Sequence, residues 1–317
     1  MSAEFELIRR CFTRPARQAL LGVGDDAALI APTPGQALAI STDALVEGIH
    51  FLADAEPEAL GWKTLAVNVS DLAAMGATPR WATLAAVLPA PTFSWVEAFV
   101  RGFFACADAF GIELVGGDTT RGPRAFCVTV LGEVPAGQAL RRDGARVGDS
   151  IWVSGAPGRA ALGLAHLQGR LVLTEPRLSD CLAALQRPQP RVALGLALRG
   201  LAHAAIDVSD GLLADLGHIL DASRCAARLC VPDLPPVGAA RDAYLAGGDD
   251  YELVFTAPAE QDARIAALAD QLALPLTRIG DIVAATPALP AGELRLHDEH
   301  GVDITPLHRG FEHFIDT

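Results

Sequence analysis

The spacing of apolar positions predicts helices in the first half of the chain. Apolar side chains recur at helical intervals over 57–75 and over 94–110, and Gly76 follows the first stretch. Because proline is tolerated in a first helical turn and glycine often ends a helix, we predict helices over both stretches. Residues 1–20 show a similar pattern and predict a shorter amphipathic helix.

Short apolar runs in the same half predict strands. These runs cover 27–30, 37–41, 112–115 and 126–134. The segment 32–35, Pro-Thr-Pro-Gly, predicts a hairpin between the first two runs, and the glycine-rich segment 116–123 predicts a turn between the last two. This combination of helices and strands predicts an α+β domain.

The second half alternates predicted strands with predicted helices. Strands are predicted over 150–154, 205–208, 227–231 and 251–255, and helices after Gly158 and over 191–201, 212–220 and 259–272. Such alternation predicts α/β layers. Residues 136–149 are rich in Gly, Arg and Asp and lack an apolar period, so we place a domain boundary near their end. The two predicted domains are 1–148, which is α+β, and 149–317, which is α/β.

Composition and charge narrow the classes of function. The 317 residues are 51% hydrophobic and 20% charged, which is typical of a folded protein. The net charge of −13 argues against nucleic acid or an anionic membrane surface as a partner. No apolar stretch reaches membrane-spanning length and no signal-peptide pattern begins the chain, so we expect a cytoplasmic protein. The six cysteines include no Cys-x-x-Cys pair, so we expect neither zinc nor a disulfide framework.

Acidic residues cluster beside Gly, Ser or Thr at six points in the chain. The segments are 24–26, 41–43, 68–71, 116–120, 207–211 and 247–252. Each alone is a common turn sequence, but Asp71 lies inside a predicted helix, on the same face as Asn68 and among apolar neighbours. A carboxylate there either lies on an exposed strip or binds a cation, because an unpaired buried charge is costly.

Three other positions each admit two interpretations. Asp207, Ser209 and Asp210 lie where a predicted strand meets a helix, and Ser209 or Asp210 fits an N-cap, whereas ligands also bind at strand ends in α/β layers. The backbone N–H groups of segment 154–158 either bind an anion or belong to an ordinary strand–helix connection. Arg142 either pairs with a phosphate or is a solvated loop residue.

Clustered carboxylates indicate hard divalent cations as ligands. Mg²⁺ is typically bound by one or two carboxylates together with phosphate oxygens and water. The sequence has no Gly-x-x-x-x-Gly-Lys loop, no EF-hand spacing and no protein-kinase His-Arg-Asp and Asp-Phe-Gly motifs. If the protein handles nucleoside phosphates, carboxylate-held metal ions therefore bridge to them. Gly116 and Gly117 would let the backbone approach a phosphate closely.

Six ordered motifs resemble the thiamine-monophosphate kinase family, within the superfamily that includes aminoimidazole ribonucleotide synthetase. They cover 24–28, 41–43 with 48–51, 68–76, 116–122, 206–212 and 247–253, and the likeness runs from residues 4–5 to residues 310–311. The resemblance implies an α+β N-terminal domain that dimerises by joining sheets, followed by an α/β domain. It also implies ATP bound near the interface of a homodimer, thiamine monophosphate as substrate and thiamine diphosphate as product.

The resemblance assigns roles to individual residues. Several Mg²⁺ ions would be held by Asp26, Ser41, Thr42, Asp43, Asp71, Asp118, Asp207 and Asp210. ATP would contact Gly117, Asp118, Arg142 and Ser209, and thiamine monophosphate would contact His50, Asp249 and Phe311. The family usually has Glu where this chain has Asp249, which leaves that substrate contact open.

The implied reaction needs no general base. The attacking group is a phosphate oxygen whose second pKa is about 6, so it is already ionised at neutral pH. We therefore expect no catalytic base and assign His50 to substrate binding; without the resemblance, a half-buried structural histidine is the favoured interpretation. Two alternatives stay open: another ATP-dependent enzyme of the same superfamily, and a non-catalytic dimer that binds divalent cations.

Overall fold

The computed structural model describes residues 6–90 and 92–312, and the chain divides into two compact units. The first unit contains the described residues up to Leu72 together with Ala77–Gly137. The second contains Ala73–Gly76 and the described residues from Gln138 onward. No helix among the described residues is long and apolar enough to cross a membrane.

The first unit is built from a four-stranded sheet and two long helices. In chain order its elements are β1 Gln36–Val46, α1 Pro57–Ala74, β2 Thr78–Leu88, α2 Phe93–Phe110, β3 Glu113–Arg121 and β4 Ala125–Pro135. The sheet order is β1-β4-β2-β3, in which β2 and β3 are parallel and the other neighbours antiparallel. The helices predicted over 57–75 and 94–110 are confirmed.

The core of the first unit lies between the two helices and the sheet. Leu65 and Val69 of α1 are buried, as is Phe99 of α2, whose ring lies 4.5 Å from the ring of Phe126 on β4. Burial of each such side chain stabilises the fold by roughly 1.5–3 kcal/mol. This packing fixes α1 beside the sheet and thereby determines which of its residues face β1.

The helix predicted over residues 1–20 is wrong beyond Phe12. Helical structure ends with the π-helical segment Ile8–Phe12, and residues 1–5 of the prediction lie outside the described residues. The backbone N–H groups of Arg17, Gln18 and Ala19 all donate to the carboxylate of Glu113. An acid at the start of β3 therefore takes the donors that a continued helix would have used internally.

Two predicted connections in the first unit are also wrong. The run 27–30 forms no strand next to β1; Leu29 makes an isolated bridge with Leu21, and β1 pairs with β4 instead. Segment 116–123 is mostly not a turn, because β3 continues to Arg121 and pairs in parallel with β2. The strand β2 was not predicted from the sequence. Because β2, which lies between β4 and β3, was missing from the prediction, β3 and β4 were expected to pair with each other.

The second unit is a six-stranded sheet with helices on both faces. Its elements are β5 Asp149–Ser154, α3 Arg159–Leu167, α4 Arg177–Gln186, α5 Val192–Leu198, β6 Ala204–Val208, α6 Leu212–Ser223, β7 Ala226–Leu229, α7 Ala239–Ala246, β8 Glu252–Pro258, α8 Asp262–Leu272, β9 Leu276–Val283 and β10 Leu294–Leu296. The order is β10-β7-β9-β5-β8-β6. Every predicted element is confirmed, whereas α4, α7, β9 and β10 were not predicted.

Alternation along β5 shows how this sheet is buried on both faces. Ile151 and Val153 belong to the apolar cluster that includes α6, whereas Trp152 belongs to a second cluster that includes α5 and α8. Because neighbouring side chains on a strand point to opposite faces, the sheet lies between two helical layers. The predicted layered arrangement of α and β elements is thus confirmed. Among the strands that the structure describes in this sheet, only β10 and β7 pair in parallel.

Candidate active site

The predicted residues of β1 and α1 meet where these two elements face each other. Ser41 and Asp43 lie two residues apart on β1 and therefore point to the same face. The Ser41 hydroxyl donates to Asp71 Oδ2 over 2.5 Å, and the Asp43 backbone N–H donates to Asn68 Oδ1 over 2.8 Å. Asn68 and Asp71 thus share a face of α1, as predicted, and Asp71 is half-buried rather than on an exposed strip.

The side-chain amide of Asn68 is itself held in place. It is fully buried, and its Nδ2 donates to the carbonyl oxygen of Thr64 one helical turn earlier, over 3.1 Å. With its amide group oriented in this way, Oδ1 is presented to the backbone of Asp43. Asn68 therefore fixes the register of β1 against α1, which sets the positions of Ser41 and Asp43 relative to Asp71.

Thr42, Asp26 and His50 lie near this pair in sequence but make separate contacts. Thr42 is exposed on the other face of β1, and its hydroxyl is 2.8 Å from that of Thr129 on β4. Asp26 lies in an exposed loop, where its N–H donates to Asp25 Oδ1 over 2.8 Å. The Nδ1 atom of His50 accepts from the Val46 backbone N–H over 3.0 Å, which closes the turn after β1.

Gly117 and Asp118 border an apolar pocket in the first unit. They lie on β3, and the lining of the pocket also includes Ile8 and Phe12 from the N-terminal segment. Gly117 has a φ of +147°, and a Cβ atom added to it would lie 1.9 Å from the backbone oxygen of Leu84. Because β3 lies so close to β2 at this point, only glycine fits there. The exposed Asp118 follows it at the edge of the pocket.

Replacing Gly117 with Ala is expected to destabilise the first unit by about 2–4 kcal/mol, because overpacking adds to backbone strain. Gly116→Ala is the matched control, since a Cβ atom at Gly116 would meet only Thr83 Cγ2, at 3.8 Å. Urea unfolding monitored by tryptophan fluorescence measures both variants. Equal stability losses at the two positions would contradict the steric explanation.

In the second unit, one loop carries three of the predicted residues. Asp207 is the buried penultimate residue of β6, and Ser209 and Asp210 follow in the loop before α6. Neither Ser209 nor Asp210 is the N-cap, since Gly211 occupies that position. Instead Asp215, inside α6, accepts hydrogen bonds at Oδ2 from the backbone N–H groups of Ser209, Asp210 and Gly211, each over 3.0 Å.

Burial raises the pKa of Asp215 to about 7. The hydrogen bond from Gly211 opposes this shift, whereas the nearby charge of Asp210 adds to it. The three backbone hydrogen bonds therefore hold the carboxyl group in a buried position. The same hydrogen bonds fix the backbone of Ser209, Asp210 and Gly211.

The loop at 207–211 also contacts both residues predicted to bind substrate in this unit. The Asp249 N–H donates to the Ser209 carbonyl oxygen and the Phe311 N–H to the Asp210 carbonyl oxygen, each over 2.8 Å. Asp249 has a left-handed φ of 71°, and the Tyr251 hydroxyl donates to its Oδ1 over 3.0 Å. The structure thus gathers Asp207, Ser209, Asp210, Asp249 and Phe311 around one loop.

Two buried acidic residues that follow Asp249 in the chain, Asp250 and Glu252, form a network of hydrogen bonds and ion pairs. Glu252 is 1% exposed and accepts from Nε and an Nη atom of Arg191, each over 2.6 Å, and from the Ser154 hydroxyl over 2.7 Å. The Asp250 carboxylate accepts from the backbone N–H groups of Gly158 and Ala160. Burial raises the pKa of Asp250 to about 7 against the effect of these two donors.

The contacts of Asp250 decide between the two interpretations of segment 154–158. Two N–H groups at the start of α3, on Gly158 and Ala160, already have a protein carboxylate as acceptor. A bound anion would compete with that carboxylate for the same donors. The segment is therefore an ordinary strand–helix connection anchored by Asp250.

Arg142 is the one predicted residue of the second unit that lies away from the loop at 207–211. Its carbonyl oxygen accepts from the Ser223 hydroxyl, at the last residue of α6, and Arg141 accepts from the N–H of Ala205, near the start of β6. Ser209 follows the other end of β6. Within this unit, Arg142 and Ser209 are therefore at opposite ends of the same strand.

The chemistry of these side chains fits Mg²⁺. The groups near Asp71 are carboxylate and hydroxyl oxygens, which are hard ligands. Among the described residues, no three Asp, Glu, His or Cys side chains converge on a common point. A closed protein cage is thus not formed in the described part of the chain, and Mg²⁺ usually takes only one or two carboxylates and completes its shell with water and phosphate oxygens.

Four residues of this site were not singled out from the sequence. Asp250 and Glu252 lie within the motif at 247–252, and Asp215 is an acid in the first turn of the helix after 207–211, a position that carries a detectable signal. Arg191 has no local signal, because its partner Glu252 is distant in the sequence. Pairings of this kind depend on how β8 and α5 pack.

Two models of one protein family match the sequence of this chain. Residues 24–134 match the model of the AIR synthase related protein N-terminal domain, and residues 146–288 match that of the C-terminal domain. The chain is therefore a two-domain AIR synthase related protein.

Relatives over nearly the full length narrow this class further. Thiamine-monophosphate kinase of Salmonella typhimurium is 45% identical over 98% of each chain. A crystal structure of thiamine-monophosphate kinase from Stenotrophomonas maltophilia K279a has a TM-score of 0.80 and 48% identity, covering 93% of this chain and 95% of that one. The chain belongs to the thiamine-monophosphate kinase family.

A further solved structure contains ligands. AaThiL complexed with AMPPCP and TMP has a TM-score of 0.75 and 30% identity, covering 90% of this chain and 89% of that one.

Proposed function

We propose that this chain transfers the γ-phosphate of ATP to thiamine monophosphate, giving thiamine diphosphate and ADP. The observation that carries the proposal is the match over 98% of the chain to thiamine-monophosphate kinases, at 45% identity. The AaThiL complex with AMPPCP and TMP supports ATP and thiamine monophosphate as the two ligands. A cytoplasmic location and the lack of nucleic-acid or membrane partners stay predictions from charge and apolar pattern.

We assign Mg²⁺ binding to the eight residues that the motifs indicate. These are Asp26, Ser41, Thr42, Asp43, Asp71, Asp118, Asp207 and Asp210. The contact between Ser41 and Asp71 supports the assignment, because it brings two hard oxygen donors together at the junction of β1 and α1. Bound Mg²⁺ would offset the repulsion between two phosphate anions and this acidic protein.

We assign the two substrates to the glycine-rich strand and to the loop of the second unit. ATP would contact Gly117, Asp118, Arg142 and Ser209; the close approach of β3 to β2 at Gly117 exposes backbone beside the pocket. Thiamine monophosphate would contact His50, Asp249 and Phe311. Asp249 and Phe311 both bond to the loop that carries Ser209, so binding of the two substrates involves a shared backbone segment.

Positioning and charge stabilisation account for the chemistry that the protein must supply. The acceptor phosphate is ionised at neutral pH, since its second pKa is about 6, and needs no protein base. The residues of the chain therefore orient the acceptor oxygen in line with the γ-phosphate and exclude water. His50 holds the turn after β1 through its Nδ1 atom, and its proposed role is to contact the substrate rather than to act as a base.

A coupled assay of ADP release from ATP tests the proposed function. We expect release to require thiamine monophosphate and Mg²⁺, and to be slower with other phosphorylated acceptors at equal concentration. Release with another acceptor alone would indicate a different activity of the superfamily. No release with any acceptor, from folded protein that binds Mg²⁺, would indicate the non-catalytic alternative.

Asp249→Ala is expected to weaken thiamine monophosphate binding by roughly 10-fold or more, the effect of losing one charged hydrogen-bonding partner. Binding of AMPPCP with Mg²⁺ should change little, and Asp249→Glu should be tolerated because it restores the usual family residue. Tyr251→Phe is the control, since it removes only the hydroxyl that donates to Asp249. If calorimetry shows that Asp249→Ala binds thiamine monophosphate with the parent affinity, Asp249 has only a structural role in the turn.

We propose that the protein is a homodimer joined through the sheet of the first unit. The outward face of β1 carries Ile40, Thr42, Ala44 and Val46, all exposed, with Ile40 at 62%. An apolar strand face of this kind is typical of an interface. Ile40→Glu should convert the dimer to monomer in analytical sedimentation at micromolar concentration, whereas Val172→Glu, at another exposed apolar residue, should not. A monomeric parent would overturn the proposal.

A further inference from the structure

The loop at 207–211 is held from inside the protein by a single carboxylate oxygen. Oδ2 of Asp215 accepts the N–H groups of three consecutive residues, Ser209, Asp210 and Gly211, each over 3.0 Å. Asp215 is 2% exposed and is flanked on α6 by the buried Leu212 and Leu216. Three N–H groups aimed at one oxygen restrict the backbone torsions of the whole loop.

This contact differs from ordinary helix capping. A capping acid precedes the helix and accepts from N–H groups of its first turn. Asp215 instead lies within the first turns of α6 and reaches back to donors that precede Leu212. The helix start itself is stabilised separately, because the Asp215 N–H donates to the Gly211 carbonyl oxygen over 2.9 Å. The carboxylate therefore organises the loop and not the helix terminus.

The same loop also forms backbone hydrogen bonds with two other segments, which contain Asp249 and Phe311. The carbonyl oxygens of Val208, Ser209 and Asp210 accept from the N–H groups of Tyr251, Asp249 and Phe311, each over 2.8 Å. The N–H groups of the loop therefore donate to the buried Asp215. Its carbonyl groups accept from the two segments that are assigned to the substrate. A shift of the loop would displace both segments together.

We propose that Asp215 is a positioning residue that sets the shared backbone of the metal, ATP and thiamine monophosphate contacts in the second unit. The inference rests on the proposed function for the identity of the ligands, and on the three hydrogen bonds for the role. Asp215 is buried and is assigned no contact with either substrate. Its removal is expected to affect binding of both substrates at once, whereas a change at Asp249 affects one.

The test compares Asp215→Ala, Asp215→Asn and Asp221→Asn, the last being an exposed acid near the far end of α6. Amide hydrogen exchange followed by NMR reports directly on Ser209, Asp210 and Gly211. We expect Asp215→Ala to accelerate exchange of these three amides by roughly 10–100-fold, the effect of leaving buried donors unpaired. Amides of β5 should keep the parent rates. Asp215→Asn keeps one oxygen acceptor and should retain most of the protection.

Calorimetry with AMPPCP plus Mg²⁺, and separately with thiamine monophosphate, completes the test. Asp215→Ala should weaken binding of both by roughly 10-fold or more, with Asp215→Asn intermediate and Asp221→Asn unchanged. Folded Asp215→Ala with protected loop amides and parent affinities would overturn the proposal, as would acceleration spread evenly over the β5 amides. A parent that releases no ADP would refute the proposed function alone, because the exchange result does not depend on catalysis.

Discussion

Asp71→Asn is expected to reduce ADP release by about 10³-fold or more, because the substitution keeps the shape of the side chain and removes its charge. In the structure Asp71 faces β1 and accepts from the Ser41 hydroxyl, so the variant retains an oxygen for that contact. The substitution removes the negative charge of Asp71, which would bind Mg²⁺. Asp43→Asn and Asp118→Asn are expected to lose activity for the same reason.

The matched control is Glu58→Gln on the same helix. Glu58 is 3.3 Å from Arg101 in a partly exposed ion pair, which contributes about 0–1 kcal/mol. Its loss should leave turnover near the parent value. Activity is measured over a range of Mg²⁺ concentrations, since a weakened metal site shifts the requirement upward. Full turnover in all three aspartate variants at low Mg²⁺ would exclude metal bridging through these carboxylates.

Glu252→Gln is expected to destabilise the protein by about 3–5 kcal/mol, the usual cost of breaking a buried ion pair from one side. Glu252 is almost fully buried, and both of its oxygens accept from the Arg191 guanidinium over 2.6 Å. Gln provides one acceptor oxygen and places an amide group against the second Arg191 donor. The guanidinium charge, on a side chain that is only 19% exposed, is then left without the counter-charge of Glu252.

Urea unfolding measures this loss, with Glu97→Gln as the control. Glu97 pairs with Arg10 on the surface, and both side chains are well exposed, so its replacement should cost less than about 1 kcal/mol. Equal midpoints for Glu252→Gln and the parent would show that the buried pair contributes nothing to stability. A fall in the denaturant slope would point instead to a change in the unfolded or native ensemble.

The sequence by itself determined the elements with strong local patterns. The helices around Asp71 and over 94–110, and the strands and helices predicted in the second half, follow from apolar spacing that neighbouring residues set. The motifs also predicted which residues form the candidate site. These signals are local, because a helix or a buried strand is encoded by side chains a few positions apart.

Strand pairing was decided by the tertiary structure alone. The strand β1 pairs with β4, from Gln36 opposite Pro135 to Val46 opposite Ala125, instead of with the nearby run at 27–30. β2 was missed, and the part of β3 from Gly116 to Arg121 was therefore assigned to a turn before β4 rather than to a parallel pair with β2. Partner choice between strands depends on contacts far apart in sequence, which no local pattern specifies.

The same reason separates the two kinds of site residue. Asp207, Ser209 and Asp210 were predicted together from one motif, because they are neighbours in the chain. What holds that loop could not be predicted in this way: Asp215 acts through the geometry of a helix start, and Arg191 reaches Glu252 only after α5 and β8 have packed. The sequence therefore predicted the residues that are assigned to ligands, and the fold decided which buried charges hold the backbone around them.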